Sequence, residues 1–298
     1  MILVFLLTGC GSKEPDMTIE VIVTKIEETQ EITTKQAEKE SLSEAPLPEA
    51  SHQEEPKAIE NSSEEIQEAE VGIRKLLQTA MLPVGSTMYI WGGGWNEEDT
   101  GAGVGATTIG LYPEWETFAA AQSADYNMKE HRYEILKGLD CSGYIGWLVY
   151  NMFETEDGQQ GYVYKSTDTA RAYSELGWGD YMEAPSAFLP GDIVSMKGHV
   201  WLSLGSCADG SVLLLHSSPP GVSLCGTLLA DGSESEAVRL AREYMTMNYP
   251  EWQKKYPVRG VSHSYLDAVG LLRWKEEVMP GAEAYQLRKA EEVLAEIG

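Results

Sequence analysis

The sequence has few cysteines, few basic residues and no long apolar run. Four cysteines in 298 residues do not make a disulfide-stabilised scaffold, and no stretch approaches the roughly 20 apolar residues of a membrane span. Lys and Arg number 22 against 47 Asp and Glu, which gives a formal net charge of −25 at pH 7. Because so acidic a surface repels phosphate backbones, a nucleic-acid partner bound through a basic face is excluded. The chain is nevertheless 43% hydrophobic, enough to bury a substantial core.

Residues 11–70 contain no aromatic residue. They hold 17 acidic residues and five lysines, a net charge of −12, and are otherwise rich in Ser, Thr, Gln and Pro. Such a segment buries too little apolar surface to offset its ordering entropy. We therefore predict a disordered acidic linker over 11–70, followed by one globular head over 71–298.

The chain opens with the apolar run Ile2–Leu7, which leads into Thr8-Gly9-Cys10. This start resembles a bacterial lipobox, and the resemblance implies that residues 1–10 are a signal segment and that Cys10 becomes the lipidated N-terminus. The protein would then be exported and anchored to the bacterial cell membrane, facing the cell wall. No Lys or Arg precedes the short apolar run, so we expect the natural start to lie further upstream. The alternative is a hydrophobic terminus with a chance cysteine.

The head combines helix-like and strand-like patterns in an order that predicts an α+β fold. Short apolar segments separated by turn residues indicate an antiparallel meander, and Ser233-x-x-Glu236 matches a capping box that would open a helix. Residues 95–138 show no clean periodicity. The predicted helices are 71–82, 141–153, 166–176, one opening at the capping box and 282–297, and the predicted strands are 192–196, 199–204, 212–217, 222–225 and 270–274.

Cys141 stands at the very start of the buried helix, directly after Asp140. Unpaired amide donors and the helix dipole favour an anion there, which leads us to expect a thiol shifted toward thiolate. Asp140 can cap the first turn with its carboxylate, and Gly143 leaves room beside the sulfur. A cysteine buried at a helix start is most often inert packing.

Two histidines fall on neighbouring strands of the meander. His199 opens one strand and His216 closes the next, and such strands lie about 4.8 Å apart. Nucleophile, base and orienting group are therefore available in the order that a catalytic triad needs. Cys141, His199 and His216 could also ligate zinc, but no Cys-x-x-Cys or His-Glu-x-x-His spacing accompanies them. We expect neither a metal nor another cofactor.

These elements together resemble the NlpC-type family of bacterial cell-wall cysteine peptidases. The resemblance covers about Tyr89 to Gly226, and the ordered combination is more specific than any single motif. It implies a papain-like fold in which a buried helix carrying the cysteine packs on an antiparallel β meander. It also implies cleavage of peptidoglycan stem peptides, at the bond between γ-linked D-glutamate and a diamino acid. The motifs are YIWGGG, LDCSGYIGWLVY, PGDIV, GHVWLSLG, DGSVLLLHSS and GV.

The resemblance also assigns roles to residues. Cys141 is the nucleophile, His199 is the general base that later protonates the leaving amine, and His216 holds the imidazole of His199 in the useful tautomer. Substrate-binding roles fall to Tyr89, whose hydroxyl would lie near the nucleophile, and to Asp140 and Ser142, which match positions that bind a terminal amine. Tyr89 could instead be an ordinary core tyrosine, and Asp140 only a helix cap.

Two departures from the family pattern bear on the substrate. The chain inserts residues 95–138 between YIWGGG and LDCSG, beside the expected cleft, and its connection between His199 and His216 is longer than usual. Cys207 and Cys225 could pair in an exported protein. Two other functions stay open: a non-catalytic wall-binding lipoprotein whose cleft the insertion closes, and a cysteine amidase or acyltransferase that acts on another amide.

Overall fold

One eight-stranded sheet runs through the described part of the chain, which in the computed structural model comprises residues 72–153, 161–267 and 269–298. The strands are β1 (Met88–Tyr89), β2 (Gly138–Leu139), β3 (Gly179–Glu183), β4 (Ile193–Met196), β5 (His199–Ser206), β6 (Val212–Ser218), β7 (Gly221–Gly226) and β8 (Gly270–Trp274). Their order in the sheet is β2-β1-β7-β6-β5-β4-β8-β3. Neighbouring strands are antiparallel except β1 and β2, which are parallel.

Eight α-helices accompany this sheet among the described residues. They are α1 (Ile73–Met81), α2 (Pro113–Ala121), α3 (Cys141–Tyr150), α4 (Thr169–Glu175), α5 (Glu236–Asn248), α6 (Pro250–Lys255), α7 (Ala282–Gln286) and α8 (Ala290–Ile297). Two 3-10 helices, Val104–Thr107 and His263–Leu266, lie in the connections. The mixture of helices with a largely antiparallel sheet confirms the α+β prediction, and the meander β4 to β7 lies where the turn residues predicted it.

The two faces of the meander carry different cores because side chains alternate along a strand. Val200, Leu202 and Leu204 of β5 belong to the larger core, to which α1 and α3 also contribute. Trp201 belongs to a smaller core together with Leu214 of β6. His199 and His216 are two residues away from Trp201 and Leu214 respectively, so the pleat places both histidines on the side of the smaller core.

Helix α3 is apolar all round, and all but the last of its residues are buried. That confirms the prediction of a core helix beginning at Cys141, although α3 ends at Tyr150 and the chain continues as a turn. Helices apolar on every face are stable only when other elements surround them. The cysteine is thereby fixed at the boundary between the core and the loops.

Two predictions of helix limits were wrong. The predicted helix over 282–297 is two helices, and the second begins after Lys289, whose backbone amide donates to the Glu292 carboxylate at 3.2 Å. Ser233 does not cap α5. Ser235 does, because its hydroxyl accepts from the Val238 amide and donates to a buried carbonyl.

The predictions for the N-terminal part lie outside the described residues. They are the signal segment 1–10 with lipidation at Cys10 and the linker 11–70. Within the described ranges, no helix has the length and apolar character needed to cross a bilayer.

A buried ion pair ties the PGDIV segment to β8. The Asp192 carboxylate is 1% exposed and accepts from Arg273 at 3.0 Å (Nε) and 2.7 Å (Nη2). It also accepts from the Leu189 amide at 2.8 Å. Burial raises the pKa of Asp192, and the bonds from Arg273 oppose that rise. Removal of the guanidinium would leave a buried carboxyl without its main partner.

We predict that Arg273→Met lowers the free energy of unfolding by about 3–5 kcal/mol, the usual cost of breaking a buried pair from one side. The matched control is Arg242→Met, which removes the exposed partner of Glu234 and should cost no more than about 1 kcal/mol. Urea denaturation of the full chain measures both. Equal losses in the two variants would contradict the importance of the Asp192 pair.

Candidate active site

The first turn of α3 is organised by the carboxylate of Asp140. One carboxylate oxygen accepts from the Gly143 amide at 2.7 Å and from the Ser142 hydroxyl at 2.8 Å. The other oxygen accepts from the Gly92 amide at 3.3 Å. The carboxylate therefore caps the helix, as predicted, and also binds the YIWGGG turn to it.

Close backbone contacts fix the same turn against the helix. A Cβ atom added at Gly143 would lie 2.0 Å from the carbonyl oxygen of Gly93, and one added at Gly94 would lie 2.5 Å from the Cα of Gly143. Gly93 also accepts from the Asp140 amide at 2.9 Å. Glycine at these positions is what allows β1 and its turn to lie directly beside Cys141.

The structure brings the two predicted histidines together. His199 Nε2 and His216 Nδ1 are 3.1 Å apart, with the rings nearly perpendicular at 79°. Burial lowers the pKa of His199 to about 4. The pKa of His216 is also lowered, first by burial and then by the charge of His199. Both imidazoles are thus neutral at neutral pH, and one donates its N–H to the other.

The environment of Cys141 contradicts the expected thiolate. Burial, followed by the negative charge of Asp140, raises the pKa of the Cys141 thiol to about 12. Amide groups, that of Val200 first among them, act in the opposite direction but do not outweigh burial. Within the described chain, no hydrogen bond joins the thiol to His199. The resting pair is a neutral thiol and a neutral imidazole.

The three residues expected to bind substrate differ in whether their polar groups are already hydrogen-bonded within the protein. Asp140 and Ser142 are both buried and bonded to each other, and Ser142 also accepts from Trp95 Nε1 at 3.1 Å. Burial raises the pKa of Asp140 to about 6. The Tyr89 hydroxyl has no hydrogen-bond partner among the described residues, and its pKa is raised by burial and then by Cys141. Substrate binding by these residues stays a prediction, and Tyr89 has the more available polar group.

Tyr265 is a residue of the site that the sequence did not reveal. Its ring lies 5.4 Å from the ring of His199 and 6.2 Å from that of His216. Burial raises its pKa to about 12, with smaller contributions from Cys225 and Cys141. It stands on the 3-10 helix His263–Leu266, downstream of every recognised motif, so no pattern in the sequence marks it.

The 95–138 segment packs against the site, as its position predicted. The Tyr133 amide donates to the Trp91 carbonyl at 2.8 Å, and the Arg132 guanidinium lies 5.1 Å from the Trp91 ring. The charge of Arg132 lowers the pKa of Tyr89 against the effect of burial. The Tyr126 hydroxyl donates to the carbonyl of Tyr89 at 2.7 Å. The insertion thereby adds a cation and several aromatic rings to the rim.

Two further cysteines, Cys207 and Cys225, lie among the described residues. Cys207 and Cys225 are both free and buried, so they do not pair in this structure. Burial raises their pKa values to about 12 and about 11. In the parts of the chain that the structure describes, no group of three or more His, Cys, Asp or Glu side chains is arranged to hold a metal ion.

No protein-family model, curated protein or solved structure matches this chain. The resemblance to NlpC-type peptidases therefore rests on the short motifs. In the structure, these motifs occupy β1, β2, α3 and the strands β4 to β7. The YIWGGG turn is bonded to the first turn of α3, and the motifs on β5 and β6 carry the histidine pair.

We predict that alkylation of Cys141 by iodoacetamide becomes about tenfold faster for each pH unit between pH 7 and 9. Only the thiolate reacts, and a thiol with a pKa of about 12 gains thiolate steadily across that range. Peptide mapping of the labelled full chain measures the rate at each cysteine. His199→Ala should leave the slope unchanged, because His199 is neutral throughout. A rate at Cys141 that is constant over this range would instead reveal a preformed thiolate and imidazolium.

Proposed function

We propose that the protein is a cysteine endopeptidase that hydrolyses peptidoglycan stem peptides through Cys141, His199 and His216. The observation that carries this proposal is the 3.1 Å contact between His199 Nε2 and His216 Nδ1, on strands next to the helix that begins with Cys141. A buried helix with a cysteine at its start, packed on an antiparallel sheet, supports the proposal of a papain-like fold, which the resemblance of the motifs implies.

The proposed reaction begins from neutral groups. With the His199 Nε2 proton directed to His216, His199 Nδ1 can accept the thiol proton as the Cys141 sulfur attacks the amide carbonyl carbon. The carbonyl oxygen becomes an oxyanion, which the Cys141 amide and the Tyr89 hydroxyl can stabilise by hydrogen bonds. The negative charge thus appears on a substrate atom that has donors, instead of remaining on a buried sulfur.

The second half of the reaction returns the enzyme to its starting state. The carbon–nitrogen bond breaks as the His199 imidazolium gives its proton to the leaving amine, and a thioester on Cys141 remains. Water then attacks the thioester and gives its proton to His199. The carbon–sulfur bond breaks, the acid product leaves and the thiol regains its proton. His216 keeps the imidazole of His199 oriented throughout.

The substrate and the location rest on the sequence motifs. We propose the bond between γ-linked D-glutamate and a diamino acid as the bond that is cut. Lipidation at Cys10 would hold the enzyme on the outer face of the bacterial membrane, with residues 11–70 as a spacer toward the cell wall.

The test incubates the full chain and its Cys141→Ala variant with purified disaccharide-tetrapeptide muropeptides, with products identified by mass spectrometry. We expect cleavage between D-glutamate and the diamino acid, at a rate that Cys141→Ala lowers by at least about 10³-fold, because removing the nucleophile removes the covalent route. Cys207→Ala is the matched control. It removes another buried free thiol and should retain activity.

The other outcomes point to other functions. Cleavage of a different amide that still needs Cys141 would make the protein an amidase or acyltransferase on another bond. Intact muropeptides with all three proteins would contradict the proposal and favour a non-catalytic wall-binding protein.

A further inference from the structure

A cavity of about 460 Å³ adjoins the histidine pair. His216 lines it, and the rest of its wall comes from three stretches of chain. These are the insertion, through Ala124 and Tyr126, the turn after β6 together with part of β7, and the segment that contributes Trp252 and residues 255–261. Two of the three stretches lie outside every motif that resembles the NlpC-type family.

Hydrogen bonds hold the two added stretches together at the cavity. Lys255 Nζ donates to the Gln122 carbonyl at 2.8 Å, and the Tyr256 hydroxyl donates to the Ser123 carbonyl at 2.6 Å. The Tyr126 hydroxyl in turn donates to the Tyr89 carbonyl. The cavity is thus a built feature joined to the candidate active site.

The charge of the cavity is opposite to that of the chain. Lys255 and Arg259 line the cavity, and no lining residue is acidic, although acidic residues outnumber basic ones by more than two to one overall. In the described ranges, neither cation has a carboxylate partner. The Asp125 carboxyl acts on this wall, because after burial its charge raises the pKa of Tyr256, and it accepts a hydrogen bond from the Ser123 hydroxyl. Lys255 also lines a second cavity, to which Glu116 and Glu251 contribute.

Lys255 and Arg259 have no carboxylate partner among the described residues, and the Lys255 ammonium has donors beyond the one that it gives to the Gln122 carbonyl. Two such cations in a partly apolar cavity are suited to an anion such as a carboxylate, which can accept charge-assisted hydrogen bonds from both. The position of the cavity indicates which part of a substrate would bring that anion. A general acid must lie next to the amine that it protonates, so the leaving half of the peptide passes the histidine pair. His216 belongs to both that pair and the cavity.

We propose that this cavity binds a carboxylate on the leaving-amine side of the scissile amide, through Lys255 and Arg259. The proposal rests on the proposed function for the direction in which the peptide lies. It makes residues 122–126 and 252–261 a specificity element that selects peptides with an acidic group beyond the cut.

The test uses two stem tetrapeptides that differ in one group, the side-chain carboxylate of the diamino acid or the corresponding carboxamide. Affinity is measured calorimetrically at low salt with the full-length Cys141→Ala protein, which cannot turn the peptides over. We expect the carboxylate peptide to bind at least about tenfold more tightly than the carboxamide. The double substitution Lys255→Gln and Arg259→Gln should reduce that ratio to about one.

The matched control is the double substitution Lys75→Gln and Lys289→Gln, which removes the same charge from exposed sites outside the cavity and should preserve the ratio. Equal affinities for the two peptides, or no binding of either, would overturn the proposal even if the double variant failed to fold. Hydrolysis of muropeptides by the unsubstituted chain is scored separately. If the chain cleaves muropeptides but shows no preference for the carboxylate peptide, only the proposed role of the cavity is contradicted. If it prefers the carboxylate peptide but cleaves nothing, only the proposed peptidase activity is contradicted.

Discussion

The Asp140 carboxylate and the three donors that it binds are the contact on which the rest of the site depends. Its bonds to Gly143, Ser142 and Gly92 join the start of α3 to the turn after β1. Because the helix is buried almost all round, its first residue cannot move without disturbing the core. Cys141 therefore has a defined position relative to β5 and β6, whatever the surrounding loops do.

The same burial sets the electrostatics. It raises the pKa of Cys141 to about 12 and lowers that of His199 to about 4, so these two residues rest as a neutral thiol and a neutral imidazole. A preformed thiolate would be costly in so dry a place. In the proposed mechanism, charge develops only when a substrate carbonyl is present to receive it. The neutral histidine pair is suited to this order of steps, since the His199 ring can accept a proton while His216 holds that ring in place.

The sequence predicted much of the fold because its strongest patterns are local. Turn residues and alternation defined the meander, and the apolar stretch after Asp140 defined α3. The motif order placed Cys141 and the two histidines, which the structure brings to adjoining elements.

The features that the sequence did not predict depend on long-range packing. Tyr265 and Arg132 reach the site from segments without a motif, and the start of α5 depends on tertiary hydrogen bonds. The thiolate prediction failed because a helix-dipole argument takes no account of burial.

The most direct test of the account is to look for the covalent intermediate. The full chain is mixed with the stem tetrapeptide, quenched with acid within one turnover and examined by mass spectrometry. The proposed mechanism predicts a thioester adduct with the mass of the acyl fragment, located on the peptide that contains Cys141 and gone once the substrate is consumed. Cleavage that proceeds with Cys141 unmodified and survives Cys141→Ala would contradict it, as would an intact peptide after prolonged incubation.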